Sequence, residues 1–171
     1  MYRLNFRQIL IHFIATWFFM FAFQTLFSLH EIKMINIYRL VDRTKVIYEF
    51  DKQGITATDF VNFTFWTNVG KTVGLLIAFI ISLTISIKNK WLWVNSLIIL
   101  ISAYGLAWTE FLGLNFLQNI YYLKGLTSIP LILLLTVITV IFTLLGIITF
   151  YHRKTNQFII NSNSNSLNHY S

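Results

Sequence analysis

The chain has 171 residues, 56% of them hydrophobic, 18% aromatic and only 11% charged, and carries a formal net charge of +7. An ordinary soluble domain has roughly 25% charged residues, so this composition argues against a soluble globular protein and for lipid as the solvent. Cysteine is absent, which removes disulfide frameworks, thiol redox chemistry and Cys-ligated metals from consideration.

Four apolar runs approach the ~20 residues a helix needs to cross a bilayer core. They place spans at about 9–29, 68–87, 91–108 and 129–151. The expected fold is an all-α integral membrane protein, a single four-span antiparallel bundle over residues 1–154 with a ~40-residue extracytoplasmic loop (30–67) between the first two spans. The first run is too long for the h-region of a cleavable signal and no small-residue cleavage site follows it, so it reads as a retained helix. Within it, His12 lies near the inner end and Gln24 near the outer end.

The loop is the most polar stretch. Lys45 to Asp51 alternates Val46, Tyr48 and Phe50 with charged residues, a short strand signal that Ile47 weakens and that lacks a clear partner run. Gly54 then punctuates the chain, and Thr56-Ala57-Thr58-Asp59 fits a capping box opening a helix near Ala57. Continued to Ile87, that helix would be roughly 46 Å long at 1.5 Å per residue, well beyond a ~30 Å core. A break near Asn68 to Lys71 is therefore expected, with Ala57 to Thr67 at the membrane interface or leaning on the outer ends of other spans.

The second span contains the chain's most informative pattern. Gly70, Gly74, Ala78, Ser82 and Ser86 recur at every fourth residue. Helices in lipid gain nothing hydrophobic by associating, so small residues at this spacing mark a face built for close approach. In the fourth span, Thr136, Thr139, Thr143 and Gly146 form a matching small, weakly polar stripe, so the two faces are candidates to meet. Ala78 to Ser86 is expected to pack on span three or four, with Gly70 and Gly74 near a hinge. The turn around Asn89 makes spans two and three antiparallel neighbours, and it brings Lys71 and Glu110 to a similar level as an ion pair. Thr127-Ser128-Ile129-Pro130 resembles a helix start for span four. Residues 155–171, rich in Asn and Ser, are expected to be a disordered cytoplasmic tail.

Basic residues set the orientation. Arg3, Arg7, Lys88, Lys90, Arg153 and Lys154 fall on one side without acids, which favours both termini in the cytoplasm. The net charge then answers to anionic headgroups and implies no nucleic acid. His12 and His152 raise the question of haem or metal, but His152 adjoins Arg153 and Lys154 and reads as interfacial. No phosphate loop, zinc-protease helix or nucleophile elbow is present, so no catalytic residue, cofactor or metal site is assigned. The expected function is a non-enzymatic accessory or interaction subunit of a membrane, with a small oligomeric transporter or channel subunit as the alternative. Expected partners are the lipid bilayer, another membrane protein, or a second copy. The Ile-, Asn- and Phe-rich composition suggests an A+T-rich genome and hence a bacterial inner membrane.

Overall fold

The computed structural model describes residues 4–42, 44–109, 126–152 and 157–159. It is 84% helical and has no strand among the described residues. The helices are α1 (Phe6–Phe27), α2 (Ile32–Leu40), α3 (Val46–Lys52), α4 (Ala57–Lys88), α5 (Val94–Trp108) and α6 (Leu131–Tyr151), with a 3-10 turn at Ser28–Glu31 carrying α1 into α2. Three helical stretches are long and apolar enough to cross a membrane: Phe6–Leu40, Ala57–Lys88 and Leu131–Tyr151. The fourth, α5, has 15 residues as described and rises about 22 Å, short of a ~30 Å core.

Local chemistry explains the helix starts. The Asn5 side chain caps α1 by accepting from the backbone N–H groups of Arg7 and Gln8, both at 3.1 Å. Thr56 and Asp59 form the capping box of α4, with the Asp59 carboxylate accepting from the Thr56 N–H at 2.7 Å and from its hydroxyl at 2.8 Å. At α6 the expected hydroxyl cap is not used. The helix follows Pro130 without a side-chain cap, and the carbonyls of Thr127 and Ile129 instead accept from Arg39.

Two expectations for the loop are corrected. Lys45 to Asp51 is not extended: Val46–Lys52 is helical, which turns Val46 and Phe50 inward on one face and leaves Tyr48 72% exposed. An i, i+4 apolar pair satisfies one helix face, whereas a lone strand has no ladder to join. Nor does the chain break at Asn68 to Lys71, because α4 runs uninterrupted for 32 residues, about 48 Å. Its excess length is absorbed by a small helical cap. Phe63 of α4 is buried there with Met34, Ile35 and Ile37 of α2, Val46 and Phe50 of α3, and Leu131 and Leu135 of α6. The loop is thus largely a folded unit seated on the ends of α4 and α6.

The central element is α1. It packs along both α4 and α6, and more lightly on α5. Residues 157–159 return to its start, where the Ile159 carbonyl accepts from the Asn5 amide at 3.3 Å and the Arg7 guanidinium lies 4.2 Å from the Phe158 ring centre. The remainder of the Asn/Ser-rich tail lies outside the described residues.

Candidate functional site

All five ladder residues are buried, and the partner they face is α1. A Cβ added to Gly70 would sit 2.5 Å from the Phe23 carbonyl oxygen and 2.9 Å from Gln24 Cα. One added to Gly74 would sit 2.5 Å from the Phe19 carbonyl oxygen and 2.8 Å from Met20 Cα. Ala78 packs in a cluster with Ala15, Ser82 meets His12, and Ser86 meets Gln8. Each four-residue step along α4 is therefore matched by a four-residue step backwards along α1. The α1 face that answers the ladder is Gln8, His12, Thr16, Met20 and Gln24, all buried and all four residues apart. The two helices run antiparallel with their backbones in contact at the glycines.

The expected meeting of the ladder with the threonine stripe of α6 is corrected by this geometry. The α6 face also turns towards α1, on a different side. Thr139 donates to the Ala22 carbonyl at 3.4 Å, Gly146 lies where a Cβ would meet the Phe19 ring at 2.6 Å, and Phe150 packs edge-on to His12 at 5.0 Å. Thr136 is exposed and bonds back to the Ile132 carbonyl, and Thr143 bonds back to Thr139, both at 2.8 Å. A threonine in a helix can satisfy itself on the preceding turn, so the stripe supplies one interhelical hydroxyl rather than a polar surface.

At the end of the seam nearest the start of α1, the steric ladder becomes a hydrogen-bonded cluster from three helices. The Gln8 amide donates to Ser86 Oγ at 2.6 Å, and its carbonyl oxygen accepts from Asn95 Nδ2 at 2.7 Å. His12 Nδ1 lies 2.8 Å from Ser82 Oγ, and Ser96 Oγ lies 2.9 Å from Ser82 Oγ and 3.1 Å from Ser86 Oγ. Ser86 commits its own proton to the Ser82 carbonyl at 2.9 Å. One proton arrangement uses every one of these contacts: His12 Nδ1–H donates to Ser82, Ser82 to Ser96, and Ser96 to Ser86. The neutral His12 ring then carries its lone pair on Nε2, which has no hydrogen-bond partner among the described residues; nor does Asn95 Oδ1.

All six of these side chains are fully buried. The Ser82 hydroxyl faces a histidine that donates to it rather than accepting from it, and no carboxylate is hydrogen-bonded to that ring among the described residues. Such a cluster holds helices in one register; it is not arranged as an activated nucleophile. No group of three or more His, Cys, Asp or Glu side chains converges among the described residues. His12 and His152 are in unlike places, His12 buried and His152 exposed at the end of α6.

Lys71 is half-buried and lines a cleft of about 380 Å³ with Asn68, Tyr104 and Trp108. Its expected partner Glu110 lies outside the described residues. The residues missed by sequence reasoning are Gln8, Thr16 and Ser96. The available signal was the four-residue recurrence of Gln8, His12, Thr16 and Gln24 through an apolar helix, the polar counterpart of the glycine ladder. Comparison with protein-family models, with curated proteins and with solved structures returns no match for this chain.

Proposed function

We propose that the chain is a non-enzymatic multi-pass membrane protein of four spans, α1, α4, α5 and α6, with both termini cytoplasmic and the α2–α3 cap outside, serving as an accessory subunit that binds another membrane protein. The observation that carries the interaction role is the uncovered face of α4. There the exposed Asn68 lines a shallow groove of about 680 Å³ with Phe65 and Thr72, formed by α4 residues alone. An amide on a helix surface within lipid favours association with a neighbouring helix that can bond to it. The basic ends of α1 and α4 support the orientation, and the composition supports a bacterial cytoplasmic membrane.

A small transporter or channel subunit working as an oligomer is the second reading, favoured by the unpartnered His12 Nε2 and Asn95 Oδ1 within the bundle. A photo-crosslinker placed at Thr72, exposed on the same α4 face as Asn68, in native membranes separates the two. A single heterologous protein, lost on Asn68→Leu and not captured from Ile141 on α6, supports the accessory role; self-crosslinks alone favour the oligomer, and lipid adducts alone overturn both. The chain has no native cysteine, so single-cysteine labelling is clean. Lys52→Cys should react from outside and Lys88→Cys only from the cytoplasm; the reverse pattern overturns the topology.

A further inference from the structure

We propose that the depression between α2 and the start of α6 binds the phosphodiester of an anionic phospholipid. The proposal rests on the chain lying in a bilayer and is independent of the protein partner proposed above. Its centre is Arg39, only 4% exposed on α2. The two terminal guanidinium nitrogens donate to the carbonyls of Ile129 at 3.1 Å and Thr127 at 2.9 Å, while Nε is buried without an acceptor. No carboxylate among the described residues forms an ion pair with it. A full positive charge is thus set against two neutral carbonyls, and a charge withdrawn from water in this way favours a counter-charge.

Arg39 borders an open depression of about 580 Å³ together with Lys33, Asn36, Ser128 and the first residues of α6. The first turn of α6 has no side-chain cap, so its N–H groups add donors and a positive dipole end to the same space. Guanidinium, ammonium, amide, hydroxyl and helix N–H together make a donor set suited to a phosphate monoanion. Lys33 also lies within electrostatic range of Asp59, which leaves Arg39 as the charge without an acid of its own.

A lipid rather than free phosphate is favoured by the depression's rim. Leu40 and Ile132 line it and are both largely exposed, so apolar surface borders the charged floor. A headgroup with an acyl chain covers both surfaces; an inorganic ion covers one.

The test titrates the purified full-length protein in mild detergent with phosphatidylglycerol, read by native mass spectrometry, with diacylglycerol as the phosphate-free control. One retained phosphatidylglycerol is expected, with no diacylglycerol adduct. Because Arg39 also fastens the 127–129 segment, the diagnostic variant is the exposed Lys33→Gln, which should weaken binding about fivefold. Lys88→Gln at the other end of α4 should leave it unchanged. Equal retention of both lipids, or equal effects of the two lysine variants, overturns the site. Displacement of phosphatidylglycerol by inorganic phosphate reassigns the depression to a free anion and overturns the lipid assignment.

Discussion

The two halves of the α1–α4 seam share one spacing and use it for different chemistry. At Gly70 and Gly74 the backbones of the helices touch and nothing polar passes between side chains of the ladder and α1. At Ser82 and Ser86 the same four-residue step instead delivers hydroxyls to Gln8, His12 and Ser96. The glycine half fixes how close the helices come, and the serine half fixes where along each other they stop. Van der Waals approach alone tolerates sliding by one small residue, whereas a hydrogen-bonded cluster with distinct partners does not.

This contrast can be broken at its steric end first. Gly74→Ile should destabilise the folded protein by about 3 kcal/mol or more, the upper range for overpacking, because its Cβ meets backbone rather than a movable side chain. Gly105→Ala in α5, where an added Cβ meets nothing within 4 Å, should be neutral or stabilising by about 0.5–1 kcal/mol. Both are read by denaturant titration in micelles, and equal effects would remove the close-approach argument.

The polar end should yield smaller losses. Asn95→Leu leaves the Gln8 carbonyl oxygen without its donor and should cost about 1 kcal/mol, within the range for hydrogen bonds between helices in lipid. A double-mutant cycle of Gln8→Leu with Asn95→Leu should give a coupling of about 0.6 kcal/mol; additivity would mean the contact does not contribute. Smallest of all is Thr136→Val, expected to change stability by less than about 0.5 kcal/mol because the hydroxyl is exposed and bonded to its own helix.

Residue spacing made the helical class legible, together with the close-approach face and the capping box at Thr56 and Asp59. It did not identify α1 as the ladder's main partner, although Ser82 and Ser86 do meet Ser96 of α5, the expected contact with span three. Small residues announce that another backbone comes near, but the answering face of α1 carries Gln8, His12, Met20 and Gln24, whose size disguises it. The threonine stripe misled because hydroxyls in helices have acceptors of their own on the previous turn. The expected hinge failed for a different reason. A helix longer than the bilayer core need not break when its outer end is buried: Phe63 packs on the cap and on Leu131 and Leu135 at the start of α6, in line with the expected leaning on the end of another span. The cap was hidden because its core is assembled from α2, α3, α4 and α6, and the pattern of Val46 to Phe50 fits a strand until those neighbours are present.

The wide separation between the partners of the polar cluster has a consequence in time. His12 and Ser82 are 70 residues apart in the chain, and Gln8 and Asn95 are 87 apart. At a synthesis rate of about 5–20 residues per second, α1 waits for about 3.5–14 s before its first hydroxyl partner exists. On the membrane reading proposed above, its glutamine and histidine are held during that interval by water, lipid headgroups or the insertion machinery. Nascent chains stopped before α4 should therefore remain crosslinkable to that machinery through α1, and chains extended past α5 should be released. Release that does not depend on the arrival of α4 and α5 would show that α1 settles in the bilayer without them.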